Sequence, residues 1–322
     1  MFLEGDMKGY GIALITAFGL GLVACRLLIP LLRKWKAGQN VLSYVKEHKS
    51  KGGTPTMGGL AFVFSALVAC AIAGVSSSVA VAVCAIGLAF MAVGFLDDFL
   101  KCKRRENLGL RAWQKLALQA GIAFVAGVLV YRQGVTELYI PFTKEKIGLG
   151  IWVMPIAVFV FLATVNAVNL TDGLDGLAAG VSVPFFGGLA LLIGMQNGDT
   201  DLGKIGVALT GALMAYLWFN TSPASVFMGD TGSLALGGFA AGIATFSGNT
   251  LYVPILGVTF VISVISVIIQ VVYYKASGGK RVFLMSPVHH HFQQKGYSEG
   301  KISLAYATIT LLVGALCLSM QI

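Results

Sequence analysis

Ten apolar stretches alternate with short polar or glycine-rich segments along this chain. They run roughly over 10–32, 57–75, 78–97, 113–131, 150–169, 176–195, 202–220, 232–248, 251–274 and 302–320. A helix needs about 20 apolar residues to cross a bilayer. The pattern therefore predicts an all-α integral membrane protein of about ten transmembrane helices, in one polytopic domain over 1–322. Connections as short as Ser76-Ser77-Ser78 and Gly248-Asn249-Thr250 force antiparallel neighbours. The first stretch, Tyr10 to Leu32, follows no basic segment and precedes no small-residue cleavage site, so it is expected to be a retained span. Between spans, 132–149 has a different texture: Val135, Leu138, Ile140 and Phe142 alternate loosely with polar residues, which predicts a small hairpin.

Composition agrees with a bilayer setting. Apolar residues make up 57% of the chain and charged residues 11%, against roughly 25% charged in ordinary soluble domains. Four of the five cysteines lie in apolar runs and none forms a Cys-x-x-Cys pair, so small buried residues without disulfides are expected. Basic residues concentrate in three loops. Arg33, Lys34, Lys36, Lys46, Lys49 and Lys51 lie in 33–56; Lys101, Lys103, Arg104, Arg105, Arg111 and Lys115 lie in 101–115, about the loop 98–112; Lys275, Lys280, Arg281, Lys295 and Lys301 lie in 275–301. The positive-inside rule places those loops in the cytoplasm. Ten spans then put both termini outside and the short turns 170–175 and 221–231 inside. The net charge of +9 is thereby explained by loop bias and by affinity for anionic substrates or membrane lipids, with no nucleic acid needed.

This orientation gathers acids on one face. Asp97 and Asp98 close the third span, Asp172 and Asp175 follow the fifth, and Asp230 opens the eighth. Carboxylates beside hydrocarbon are costly and mark functional sites. Adjacent carboxylates repel, and a hard divalent cation relieves that: magnesium takes one or two carboxylates plus substrate phosphates. A solvated helix end paired to Lys101 or Lys103 is the plainer alternative for Asp97-Asp98. Asn166, Asn169, Asp172 and Asp175 recur every third residue, so a helix through them would carry one polar stripe. Helix capping explains one or two of the four. Gly173 and Gly176 loosen the helix and expose amides suited to phosphate or a polar ring. Asp230, in Phe227-Met228-Gly229-Asp230-Thr231-Gly232-Ser233, is either an N-cap or a metal ligand, and the other acids on its face favour the ligand. Glu4, Asp6, Glu137, Glu145, Asp199 and Asp201 fall outside and are expected to be solvated.

His289, His290 and His291 sit together in the last basic loop with no cysteine nearby. Beside Lys295 and Arg281 they suit a pyrophosphate or sugar better than zinc. No Gly-x-x-x-x-Gly-Lys-[Ser/Thr] loop occurs, which counts against ATP-driven transport.

Taken in order, Thr54-Pro55-Thr56-Met57-Gly58-Gly59, Asp97-Asp98, Asn166 through Gly176, Phe227 through Ser233 and Pro287 through Phe292 resemble the phospho-N-acetylmuramoyl-pentapeptide-transferase family over nearly the whole chain. Related enzymes join a sugar-1-phosphate from a UDP-sugar to a polyprenyl phosphate. His-His-His-Phe followed by Lys295-Gly296-Tyr297 is similar to the muramoyl-pentapeptide branch. The resemblance implies UDP-MurNAc-pentapeptide and undecaprenyl phosphate as substrates, lipid I and UMP as products, Mg²⁺ as cofactor, nucleoside antibiotics as inhibitors, and a multi-pass protein of the bacterial cell membrane.

It also implies residue roles. Asp230 matches the magnesium ligand, with Asp97 as a second. Asp97 and Asp98 match an essential pair that activates the lipid phosphate or organises the metal, and His290 joins them as catalytic. Lys101, Gly173, Leu174, Asp175 and Phe227 match a uridine pocket, with Phe227 stacking on the base. Asn169, Asp172, Gln270 and His290 match polar wall residues where nucleoside inhibitors also bind, and Lys51 and Thr56 a mobile cytoplasmic loop. Lys115, Asn166, His289 and His291 complete the expected substrate-binding set. Direct transfer is preferred to an acyl-phosphate intermediate, and Asp97 as general base is one hypothesis among these. The rivals are a sister enzyme using UDP-GlcNAc, a cation-coupled transporter and a structural scaffold. The sequence leaves the oligomeric state open, a homodimer included.

Overall fold

The computed structural model describes residues 4–35, 53–104, 108–196 and 199–321. Twelve helices appear among them: α1 Glu4–Lys34, α2 Gly59–Ile72, α3 Ser78–Arg104, α4 Ala112–Arg132, α5 Val153–Thr171, α6 Leu177–Met195, α7 Thr200–Asn220, α8 Gly229–Phe246, α9 Val253–Leu256, α10 Val258–Ala276, α11 Val288–Gln294 and α12 Glu299–Ser319. Eight are long and apolar enough to cross a membrane: α1, α3, α4, α5, α6, α7, α10 and α12. The protein is an all-α, multi-pass integral membrane protein. The other two expected spans are α2, with 14 residues, and α8, with 18. At 1.5 Å per residue they reach about 21 Å and 27 Å, short of a bilayer's ~30 Å core.

The hairpin is present. β1, Glu137–Tyr139, pairs antiparallel with β2, Lys146–Gly148, in the register Leu138 opposite Ile147. Leu138 is fully buried, which anchors the hairpin. The expected ninth span is interrupted: α9 ends at Leu256, and Gly257 separates it from α10.

α8 is the centre of the bundle. Every residue from Thr231 to Phe246 is buried, and glycines let its neighbours approach. A Cβ at Gly237 would overlap the α5 backbone at Val165, one at Gly238 would lie 2.6 Å from the Phe90 ring of α3, and one at Gly59 of α2 would overlap Gly232. Without water, helices gain little from apolar contact alone, and small residues permit the close dispersion packing that replaces it.

Three expectations change. Helix α3 does not end at Asp97-Asp98 but runs on to Arg104, so both acids lie within it. Its last turns stay helical because Leu110, Thr231 and Lys101 satisfy the two acids there, while Lys103 and Arg104 are exposed. The polar stripe from Asn166 to Asp175 is cut: α5 ends at Thr171, Asp172 is its C-cap, and Asp175 belongs to the following turn. Asp201 is not solvated. It is buried, and its carboxylate accepts the N–H groups of Ser76 and Ser77, each at 2.9 Å, and Lys204 Nζ at 3.0 Å. It ties the α2–α3 turn to the start of α7. All five cysteines are free, as expected.

Candidate active site

The acids converge where the end of α3 crosses the start of α8. One oxygen from each of Asp97, Asp98 and Asp230 lies within 4.8 Å of the others. Asp97 and Asp98 are buried, at 2% and 3% exposure. Asp98 Oδ2 accepts both the backbone N–H of Thr231 (2.9 Å) and its hydroxyl (2.7 Å). These two hydrogen bonds fasten α3 to the first turn of α8. Asp97 Oδ1 accepts the N–H of Leu110 at 2.7 Å, so the segment leading into α4 is folded over it.

Two ammonium groups meet the acids. Lys101 Nζ lies 2.9 Å from Asp230 Oδ2, 2.5 Å from Asp97 Oδ2 and 3.9 Å from Asp98 Oδ1. Lys115 Nζ, from α4, lies 2.8 Å from Asp230 Oδ2. Asn169, from α5, donates to Asp230 Oδ1 at 2.7 Å and to Ser233 Oγ at 2.8 Å, and lies 3.4 Å from Lys115 Nζ through its oxygen. Four helices thus contribute to one charged centre, α3, α4, α5 and α8. Three aspartate side chains offering only oxygen donors are the set that hard divalent cations prefer, so Asp97, Asp98 and Asp230 fit magnesium. The two lysines supply further positive charge for phosphates.

A second cluster lies over the turn after α5. Two imidazoles close on Gly173: a Cβ there would lie 2.6 Å from His289 Nε2 and 2.8 Å from His290 Nε2. His289 is fully buried, and neither ring nitrogen has a hydrogen-bond partner among the described residues. Burial, reinforced by His290, pushes its pKa down to about 3, so it is a neutral imidazole. His290 Nδ1 is 3.0 Å from Gln293 Oε1. Burial, then the like charges of Asp230, Asp98 and Asp175, push Asp172 up to about 8. Near neutral pH it is mostly a protonated carboxyl, a hydrogen-bond donor.

The remaining expected residues take varied places. Asp175 accepts the N–H of Ala224 at 3.0 Å, while Glu299 accepts the N–H of Asp175 at 2.7 Å. Leu174 is buried. Phe227 is half-buried, and its backbone bonds Pro55 and Gly58, which lays the 53–58 segment along the start of α8. The Thr56 hydroxyl and Asp98 Oδ2 both abut Gly229. Gln270 spends its amide on the backbone of Val282 and Phe283, pinning the loop after α10. His291 Nδ1 accepts the N–H of Leu284 at 3.1 Å. Asn166 donates to Gln119 Oε1 and Leu162 O. Lys51 lies outside the described residues.

Thr231, Ser233, Gln119 and Glu299 were not expected to serve the site. Thr231 and Ser233 were legible only as neighbours of Asp230. Gln119 had a usable signal, an amide side chain inside an apolar run.

A polytopic membrane bundle with paired carboxylates and lysines at one end of its helices defines a class, the phosphate-handling integral membrane enzymes. Residues 78–248 match the model of glycosyl transferase family 4, and residues 51–63 match the phospho-N-acetylmuramoyl-pentapeptide-transferase signature 1. Among curated relatives, the phospho-N-acetylmuramoyl-pentapeptide-transferase of Clostridium botulinum (strain Alaska E43 / Type E3) is 44% identical over 94% of this chain and 93% of its own length. Those of Caldanaerobacter subterraneus subsp. tengcongensis and Clostridioides difficile (strain 630) are 42% and 40% identical, each over 93% of this chain and 95% and 94% of their own. The chain belongs to the phospho-N-acetylmuramoyl-pentapeptide-transferase family and is a phosphotransferase.

Proposed function

We propose that the protein transfers the phospho-MurNAc-pentapeptide group from UDP-MurNAc-pentapeptide to undecaprenyl phosphate, giving lipid I and UMP for peptidoglycan synthesis. The observation that carries this reading is the meeting of Asp97, Asp98 and Asp230 with Lys101 and Lys115 at one end of the membrane helices. The relatives' shared name and their coverage of nearly the whole chain support the choice of donor. The concentration of Lys and Arg in the segments that follow α1, α3 and α10 in the sequence supports a cytoplasmic active site.

An oxygen of the lipid phosphate attacks the β-phosphorus of the donor. The bond from that phosphorus to the bridging oxygen breaks, and UMP leaves with the electron pair. Two anions must approach, so positive charge is the first need. Lys101 and Lys115 supply two ammonium groups at the meeting point. Asp230 and Asp97 are the groups that would hold Mg²⁺, with Asp98 beside them; when bound, it neutralises phosphate charge. Asn169 orients Asp230, and Thr231 holds Asp98. A phosphate monoester has a second pKa of about 6 and is already mostly dianionic near neutral pH, so the attack needs no obligatory base. The turn at Gly173, with neutral His289, His290 and protonated Asp172, offers donors suited to a uridine, and the half-buried Phe227 at the start of α8 is the aromatic residue to stack on its base.

The test is UMP release by purified protein with undecaprenyl phosphate and Mg²⁺, comparing UDP-MurNAc-pentapeptide with UDP-GlcNAc. Release from the muramoyl donor alone is the expected result. Release from UDP-GlcNAc alone would move the protein to the sister reaction, and release from neither would reject the transferase reading.

A further inference from the structure

One polar contact lies deeper than the charged centre. Helix α4 buries Gln119, Ala123, Ala126 and Val130 on one face, at helical spacing, and Gln119 is the polar member of that stripe. It is fully buried. Its Oε1 accepts Asn166 Nδ2 from α5 at 2.9 Å, and the same nitrogen donates to Leu162 O at 2.8 Å. Gln119 Nε2 has no partner among the described residues. The side chain therefore works through its oxygen.

Geometry links this contact to the site. Gln119 lies one turn after Lys115, and Asn166 one turn before Asn169, because residues three and four apart share a helix face. The two helices thus meet in two polar rungs. The upper rung is Lys115 with Asn169, at 3.4 Å, and both also hold Asp230. The lower rung is Gln119 with Asn166. Sliding α4 against α5 would break both at once. At 3.4 Å the upper rung is long and weak, so the lower one at 2.9 Å sets the register.

We propose that Gln119 is a positioning residue: its side-chain oxygen, bound to Asn166, fixes the register of α4 on α5 and so places Lys115 and Asn169 on Asp230. The inference rests on the transferase reading above. It concerns turnover more than donor binding, because Asp230 and Lys115 act on the reacting phosphates.

The test compares Gln119→Met and Gln119→Glu with wild type, measuring kcat and KM for the donor and the melting temperature in detergent. Methionine keeps the volume and suits lipid but removes the acceptor. Glutamic acid, protonated at this depth, keeps a carbonyl acceptor for Asn166. The expected result is a kcat lower by about tenfold in Q119M, the upper range for one lost hydrogen bond, with KM changed little, and a kcat within about threefold of wild type in Q119E. Wild-type turnover in Q119M would overturn the proposal. So would equal loss in both variants, which would assign the role to Nε2 or to packing. Inactive wild type would instead reject the transferase reading itself.

Discussion

Gly94 of α3 lies directly against the backbone carbonyl of Asp230 in α8, so close that a Cβ on Gly94 would overlap it. Because the contact is with backbone, no rotamer change can relieve a larger residue. This approach puts Asp97 and Asp98, one turn on, beside Asp230. Gly94→Ala is expected to push α3 off α8 at a cost on the order of the 1–3 kcal/mol of overpacking, lowering the melting temperature and cutting UMP release by about tenfold or more. Gly121→Ala on α4, where a Cβ meets nothing within 4 Å, is the matched control. It should leave both unchanged or raise stability slightly, since alanine favours helix over glycine.

Asp98 and Asp230 carry the same charge but have different tasks. Asp98 Oδ2 is occupied by the Thr231 N–H and hydroxyl, so Thr231→Val should cost about 1 kcal/mol of stability. Asp98→Asn keeps an oxygen for both donors and should fold and melt close to wild type. A melting temperature for D98N far below that of T231V would contradict this division of roles.

Gly173 faces the imidazoles of His289 and His290. A methyl group there must displace both rings, because it would lie 2.6 Å and 2.8 Å from their Nε2 atoms. Gly173→Ala should weaken UMP binding, read by calorimetry, by about tenfold or more while the protein remains folded. Unchanged affinity would remove the histidines from the nucleotide pocket.

The carboxyl of Asp172, raised to about 8 by burial and neighbouring acids, makes a pH prediction. Its pKa is raised, so it is neutral below about 8 and anionic above. A neutral donor tolerates phosphate and an anion repels it. Affinity for UMP should therefore fall as pH rises through about 8. Asp172→Asn, which cannot ionise, should flatten that decline. Persistence of the same decline in D172N would assign it to another group.

The buried His289 predicts a stability limb of the opposite sign. Its folded pKa, about 3, lies below the ordinary value of 6.5. The unfolded chain then binds the proton more readily, so stability is full above about 6.5 and is lost as pH falls toward 3. His289→Gln should lessen the acid-induced drop in melting temperature. An identical drop in that variant would contradict a buried neutral imidazole.

Much of this was legible from hydropathy and charge. All ten apolar stretches are helical, and the hairpin lies where alternation around Leu138 placed it. Counting basic loops assigned Asp97, Asp98, Asp172, Asp175 and Asp230 to one face, while the meeting of Asp97, Asp98 and Asp230 within 4.8 Å depends on how α3 packs on α8. Other features depend on tertiary contacts. The end of α3 was misplaced because Asp97-Asp98 looks like a boundary in hydropathy, whereas Thr231, Leu110 and Lys101 satisfy those acids inside the helix. The stripe from Asn166 to Asp175 has helical spacing throughout, yet its last two members lie beyond α5 because Gly173 and Gly176 open the chain into a turn, with Gly176 left-handed at φ 73°. Asp201 resembled a solvated loop acid because its partners, Ser76 and Ser77, are more than a hundred residues away in sequence.

The measurement closest to the central claim is Mg²⁺-dependent UMP release by Asp230→Asn beside wild type, with undecaprenyl phosphate and UDP-MurNAc-pentapeptide. The variant keeps the size of Asp230 but replaces one of its two acceptor oxygens, Oδ1 for Asn169 and Oδ2 for Lys101 and Lys115, by an NH2 group, so it loses the charge and one acceptor. Wild type should turn over, and D230N should lose about a hundredfold or more, the scale of removing one electrostatic group from a reaction centre, while melting within a few degrees of wild type. Turnover in D230N within about threefold of wild type would contradict the placement of the reaction at Asp97, Asp98 and Asp230.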